Sequence, residues 1–274
     1  MDFDATGKVA LDAIYAQPDP RAYFNTLREF DYCIPQLAKP YFAKFVQEYR
    51  ESTGVVVPTV LDIGCSYGIN AALLRCEATM DEFYEHYGSS APQDREELLA
   101  RDRDLLRSRG QFEIARFVGL DSSEPALAYA LSAGFLDAAV HADLEAHEPT
   151  PRQREQLRGA DLVVSTGCIG YVGERTLTRV VEAQDGRLPW MAHFVLRMFP
   201  FEPMAERLSR LGYETVVVDG VFRQRRFVSA QEQAQVLDTL SAVGVDPSGL
   251  EADGWLHARL HLSRPVGTRP VQPH

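Results

Sequence analysis

The sequence predicts an α/β protein with a doubly wound, mostly parallel sheet. Three observations predict it. Apolar, β-branched runs of strand length alternate with helical stretches from Val55 to about Gly212. The first run, Val60-Leu61-Asp62-Ile63, passes straight into a turn with glycines at 64 and 68 and then a helix. The tail changes character, because ETVVVDGVFRQRRF reads as strand, Asp-Gly turn, strand. That hairpin would add antiparallel pairing at the sheet's edge.

The elements follow in order. Ala22 to Phe30 and Leu37 to Tyr49 read as helices, the second with Phe42, Phe45, Val46 and Tyr49 near helical spacing. Pro35 and Pro40 punctuate this region and Gly54 ends it. Residues 1–54 are therefore expected as an N-terminal helical cap and 55–274 as the main domain. Val55, Val56 and Val57 lead into the first strand, which ends near Ile63. Asn70 is the expected N-cap of a helix through AALLRC. Glu77 to Gly110 reads as an insertion whose charged part, DREELLARDRDLLRSRG, looks like a solvated helix. Arg116 to Leu120 is a strand ending at Asp121. SEPALAYALSAG is a helix capped by Ser123, with Glu124 and Pro125 in its first turn and Gly134 at its end. Strands follow at Ala138–His141, Asp161–Ser165 and His193–Met198, with helices in GERTLTRVVEA and EPMAERLSRLG. After the hairpin come a helix near Gln231–Leu240 and a last strand near Trp255–Leu262. No repeat, low-complexity tract or linker divides the chain.

The composition narrows the function. With 274 residues, 45% hydrophobic and 24% charged, the chain is of the soluble globular class. A net charge of −11 leaves no basic excess to replace counterions on nucleic acid. The start, MDFDATGK, lacks the regions of a signal peptide, and no apolar run reaches the ~18–20 residues of a membrane span. A cytoplasmic protein with no membrane association is expected. Cys33, Cys65, Cys76 and Cys168 form no Cys-x-x-Cys pair, so they are read as reduced, buried thiols and no metal is expected.

Three ligands compete for the glycine turn. A phosphate loop needs G-x-x-x-x-G-K-[ST], which is absent. A dinucleotide fingerprint needs G-x-G-x-x-G, and Gly64-Cys65-Ser66-Tyr67-Gly68 lacks the middle glycine. The third pattern is D-x-G-x-x-x-G after an apolar strand. VLDIGCSYG resembles motif I of the class I S-adenosylmethionine-dependent methyltransferases, and the resemblance extends from about Val55 to Phe199. It implies a Rossmann-like, seven-stranded sheet and S-adenosylmethionine as cosubstrate, held without phosphate contacts.

The resemblance also assigns roles. Gly64 and Gly68 let the backbone of the turn, with Cys65 and Ser66, approach the ligand. Amides near Asn70 face its carboxylate and Asp62 its ammonium. Asp121, at the end of a strand and followed by Ser122, is the expected ribose acid; the alternative is a helix-capping role. Asp81 and Glu82 lie nearer to the usual spacing but follow no strand. Asp143 and Leu144 would meet the adenine, unless Asp143 is a solvated loop acid. STGCIGYVG, with Thr166 and Gly167, borders the transferable group, but it lacks N-P-P-[YF]. Tyr171 is the candidate for orienting the reacting group, against a core tyrosine. Tyr32 in the cap is a second candidate, and Tyr23 and Tyr41 are weighed beside it.

His193 lies in an apolar strand and reads as a core histidine. Arg223, Arg225 and Arg226 are either a solvated strand face or a site for an acidic substrate. The insertion begins at the end of a helix that leads away from the chemistry, so a packing role or a homodimer surface is expected of it.

The leading expectation is methyl transfer to a small-molecule acceptor. The run CSYGINAALL and the tyrosine-bearing cap are also similar to a branch that cyclises S-adenosylmethionine to azetidine-2-carboxylic acid and methylthioadenosine. A third class is a ligand-binding scaffold without catalysis. A nicotinamide oxidoreductase is disfavoured by the missing glycine.

Overall fold

The computed structural model describes residues 12–92, 94–110 and 114–268. The elements are α1 (Asp12–Tyr15), α2 (Arg21–Arg28), α3 (Ile34–Thr53), β1 (Thr59–Ile63), α4 (Ile69–Arg75), α5 (Met80–His86), α6 (Arg95–Arg109), β2 (Arg116–Asp121), α7 (Glu124–Ala133), β3 (Ala138–His141), α8 (Pro151–Leu157), β4 (Leu162–Thr166), α9 (Glu174–Glu182), β5 (Trp190–Leu196), α10 (Glu202–Arg210), β6 (Tyr213–Val217), β7 (Phe222–Arg226), α11 (Ala230–Ala242) and β8 (Trp255–Pro265). The part of the expected cap before residue 12 lies outside the described residues.

One sheet runs in the order β3-β2-β1-β4-β5-β8-β6, with β7 also on β8. The first five strands are parallel and β8 is antiparallel to both its neighbours. The fold is the expected Rossmann-like, doubly wound α/β sheet with N-terminal helices. Strand alternation explains the two cores. Val60, Leu162 and Val164 face α3, α4 and α7, whereas Leu61, Ile63 and Val163 face α8, α9 and α10. The sequence order reverses between β1 and β4, which marks the strand-end crevice at that point as the place for a ligand.

The tail corrects the hairpin reading. β6 and β7 do not pair with each other; both lie along one edge of β8, end to end. Val217 is opposite His261 and Phe222 opposite Ala258. Residues 218–221 connect them; Val218 N–H still donates to the Leu260 carbonyl of β8 (2.9 Å), and Gly220 takes φ +102°. An Asp-Gly pair signals a turn, but here the turn returns the chain to its original direction. The interrupted strand thus continues to the ligand end of the sheet. Its free edge is covered, because Cys33 N–H donates to the Gln224 carbonyl (2.8 Å) and Arg226 N–H to the Phe30 carbonyl (2.7 Å).

Other differences have simple causes. Val55, Val56 and Val57 lie outside β1, with Val56 76% exposed, since Pro58 has no N–H for the ladder. Pro35 falls in the first turn of α3 and Pro40 inside it, so neither ends the helix. α8, capped by Thr150, was not anticipated among the polar residues that form it.

The insertion is less solvated than its charge suggests. α6 buries Leu98, Leu99, Asp102 and Leu106. Asp102 has no exposed surface and accepts from Tyr87 (3.0 Å) and Tyr129 (2.6 Å), with His86 Nε2 at 2.7 Å. The insertion also folds back on the N-terminal helices. Tyr84 donates to the Tyr32 carbonyl (2.5 Å), and Phe24 stacks on Tyr87 at 4.5 Å.

Asp102→Ala strands two buried hydroxyls and is expected to lower unfolding stability by about 2–4 kcal/mol in urea. A loss near zero would show that the network contributes nothing.

Candidate functional site

A cavity of about 840 Å³ opens at the carboxyl ends of β1, β2, β3 and β4, within the range of small-molecule sites. Each parallel strand supplies the loop after it. The β1 loop brings Gly64, Cys65, Ser66 and, from α4, Asn70. The β2 loop brings Asp121 and Ser122, the β3 loop Asp143 and Leu144, and the β4 loop Thr166, Gly167 and Tyr171. Tyr32 closes the wall from the cap. Twelve of the residues expected from the sequence therefore share one cavity. Asp62 and Gly68 do not line it.

Asp62 lies behind the wall, for a reason of strand parity. It points to the same sheet face as Val60, where α4 covers it, and it has no exposed surface. Thr166 at the end of β4 faces the same way. Asn70 fills the space between them: its Nδ2 donates to both Asp62 oxygens (3.1 and 3.2 Å) and to Thr166 Oγ1 (3.2 Å). That arrangement fixes which end of the carboxamide is nitrogen. Asn70 Oδ1 is left without a partner and shielded from water. Asn70 is thus not the N-cap of α4, a place taken by Gly68 with φ +75°. Burial pushes the Asp62 carboxyl up to about 7, against the opposing hydrogen bond from Asn70.

The glycines serve loop packing. A Cβ on Gly64, which has φ +67°, would sit 2.6 Å from Cys168 Cβ, so this glycine lets the β1 and β4 loops touch. A Cβ on Gly68 would point at Ala130 and Leu136, away from the cavity. The close approach expected at position 68 is therefore made to α7 and its neighbouring loop.

Asp121 braces two loops. One oxygen accepts the Ser66 N–H (2.8 Å) and the other the Ser123 N–H (2.8 Å), and burial raises its pKa. Ser123 caps α7 as expected. Asp143 is exposed, and its Oδ1 accepts from Glu145 N–H and Ala146 N–H (3.0 Å each), which makes it a turn residue at the rim. Tyr171 is 49% exposed and is not a core tyrosine. Tyr32 contacts Tyr23 at 6.2 Å between ring centres, and burial raises both hydroxyls well above their usual range. Tyr23 lines the cavity, whereas Tyr41 packs on Phe194 and Phe222 instead.

The three tail arginines divide. Arg223 and Arg226 lie over Trp255 at 4.8 and 4.5 Å. Arg225 turns inward to the cavity wall. His193 is a core histidine: in register with Ser165, it meets that hydroxyl at 2.8 Å, and burial lowers it to about 3. Cys65 and Cys76 are buried as expected, but Cys33 and Cys168 are half-buried; all four are free. Among the described residues no cluster of His, Cys, Asp or Glu is arranged to hold a metal, and no helix is long and apolar enough to cross a membrane.

Sequence reasoning missed Tyr15, Glu145 and Gln224, which also line the cavity. Tyr15 arrives because the Tyr67 hydroxyl, inside the glycine turn, lies 3.0 Å from the carbonyls of Ile14 and Gln17, while Ser123 Oγ donates to the Tyr15 carbonyl (2.6 Å). Gln224 arrives because the edge strand is interrupted and not folded back. Neither contact leaves a periodic trace in the sequence.

No family model and no curated protein matches the chain. Solved structures of similar fold include the plantazolicin methyltransferase BpumL in complex with S-adenosylhomocysteine, 12% identical, covering 95% of this chain and 94% of that one at TM-score 0.43. Magnesium protoporphyrin IX methyltransferase (ChlM) from Synechocystis PCC 6803 with bound S-adenosylmethionine is 10% identical over 84% of this chain and 79% of that one, at TM-score 0.42. The [4+2]-cyclase SpnF is 12% identical over 82% and 81%, at TM-score 0.38. At such identities and scores these likenesses carry no argument about what the chain binds.

Asp62 supplies a pH prediction. Its folded pKa lies above the unfolded one, so the folded protein holds a proton that the unfolded chain releases between 3.8 and about 7. The stability this group contributes is full below that window and falls as pH rises through it. Asp62→Asn is expected to lose less stability between pH 5 and pH 8 than wild type does in urea unfolding. Equal losses in the two proteins would place the Asp62 carboxyl in ordinary surroundings.

Proposed function

We propose that the cavity binds S-adenosylmethionine and that the protein is a transferase that methylates a small-molecule acceptor. One observation carries this reading. The glycine turn, the strand-end carboxylate of Asp121 and the Asp143-Leu144 pair all line one cavity, and no uncommitted cation stands in its described wall. Arg225, the only cation there, is engaged by Glu232. A nucleoside linked to an amino acid suits that wall; a dinucleotide, with two phosphates to neutralise, does not.

The chain's residues divide the work. Asp121 holds the β1 and β2 loops in place and has lone pairs left for ribose hydroxyls. Asn70, clamped by Asp62, presents a carboxamide to the amino-acid end. Thr166 and Gly167 border the space where an acceptor meets the methyl group. The bound sulfonium supplies an electrophilic methyl carbon; the acceptor's lone pair forms the new bond as the carbon–sulfur bond breaks, and that pair stays on sulfur. Tyr32, with its pKa raised by burial, acts as a neutral hydrogen-bonding group and not as a base. Closure of the wall by the cap keeps water away from the reacting groups.

A second reading keeps the binding and changes the nucleophile to the ligand's own amine, giving azetidine-2-carboxylic acid and methylthioadenosine. It is supported by Tyr32 and Tyr171 lining the same cavity as Asn70, where they can orient an amine. Incubation with S-adenosylmethionine alone separates the two. Methyl transfer predicts no methylthioadenosine above an enzyme-free control by mass spectrometry; its appearance together with a cyclic amino acid would establish the second reading.

Asn70→Ala is expected to weaken S-adenosylhomocysteine about tenfold by calorimetry, the worth of a hydrogen bond to a charged group. Methylthioadenosine, which lacks the amino acid, should change by less than about twofold. Equal weakening of both ligands would move Asn70 away from the amino-acid end.

A further inference from the structure

The N-terminal helices and the segment between them give the cavity an apolar and aromatic wall of Tyr15, Tyr23, Leu27, Tyr32 and Pro35. Its charge and hydrogen-bond balance is uneven. The Arg225 guanidinium is committed: Nη1 donates to Glu232 Oε2 and to the Arg226 carbonyl (2.9 Å each), and Nη2 to Glu232 Oε1 (2.7 Å). Glu232 has no exposed surface, so the pair is closed and neutral. With its charge neutralised by Glu232, Arg225 does little to offset the lost hydration of an entering anion.

Acceptors, by contrast, are in surplus. Asn70 and Gln224 are 5% and 7% exposed, and Asn70 Oδ1 and Gln224 Oε1 have no partner. The two carboxamides flank the end of β4. Asn70 bonds Thr166, and Gln224 Nε2 presses on the α-carbon face of Gly167, where any Cβ would collide with it. Asn70 is held in place by Asp62 and Thr166; at Gln224 a buried carbonyl oxygen without a donor is costly, and a ligand N–H that reaches it after a small turn of that carboxamide relieves the cost. Tyrosine faces nearby favour a positive or polarised N–H group over a negative one.

We propose that this wall of the cavity selects amines, taking a small apolar or aromatic body whose nitrogen donates to the Gln224 carboxamide beside Thr166 and Gly167, and that it rejects carboxylates and phosphates. The inference deepens the transferase reading, on which it rests for what happens to the amine. The selection itself is a property of the wall.

The experiment titrates wild-type protein calorimetrically with benzylamine, benzyl alcohol and phenylacetate, with and without saturating S-adenosylhomocysteine. The probes share a ring and differ in head group. Benzylamine is expected to bind about tenfold tighter than benzyl alcohol, and phenylacetate weakest of the three. In Gln224→Leu, benzylamine should fall to the level of benzyl alcohol. Phenylacetate binding as tightly as benzylamine, no benzylamine binding, or unchanged benzylamine affinity in Gln224→Leu would each overturn the proposal. Glu232→Gln gives an arm that does not depend on Gln224. There Arg225 loses its counter-charge, and phenylacetate should gain about tenfold on benzylamine; an unaltered ranking would also overturn it. Absence of S-adenosylhomocysteine binding in wild type would sink the transferase reading alone, because the titrations without that ligand still report the selection.

Discussion

The site depends on a carboxylate buried in the central strand. Asp62 occupies an inward position of β1 with no exposed surface. An ionised carboxyl there loses its hydration, and that loss dominates its raised pKa. Asn70 is the compensation within the protein, and by making it the carboxamide becomes fixed. A strand residue that never touches the cavity thus decides how the cavity's wall is oriented. Removing either partner leaves the other buried without its bond.

A second set of bonds joins the wall to its cover. Tyr67 belongs to the β1 loop and Ser123 to the start of α7, yet both reach the carbonyls of residues 14–17 in the N-terminal segment. Arg226 and Asp31 join the cap to the interrupted edge strand at 2.6 Å. The insertion completes the arrangement from the far side, through Tyr84 on the Tyr32 carbonyl. The ligand loops, the cap and the insertion therefore share contacts instead of forming separate layers. The expectation that the insertion starts far from the chemistry followed from the direction of α4; its return across the cap brought it back.

Most of the parallel sheet was legible because β-branched runs and glycine turns follow the strand period directly. Asp121 at a strand end and Ser123 as a cap could be read in the same way, since each role needs only local backbone geometry. The tail was misread because an Asp-Gly pair reports a turn and not where the chain goes next. On a hairpin Arg225 reads as a solvated face or a site for an acidic substrate, and nothing local singles out Gln224. Asn70 was read as a cap because capping is the local use of asparagine, whereas its partner Asp62 lies eight residues earlier and is met only once α4 packs on β1. Tyr15 depends on a hydroxyl 52 positions away, in Tyr67, and no pattern in sequence encodes that. What the sequence showed were the local devices; long-range side-chain contacts had to be seen in the fold.

The most direct measurement is a calorimetric titration of the wild-type protein with S-adenosylhomocysteine, with NAD as the control. Saturable binding of S-adenosylhomocysteine at one site per chain is expected, lost or strongly weakened in Asp121→Ala, with no binding of NAD. Binding of NAD but not S-adenosylhomocysteine, or S-adenosylhomocysteine affinity unaffected by Asp121→Ala, would contradict it.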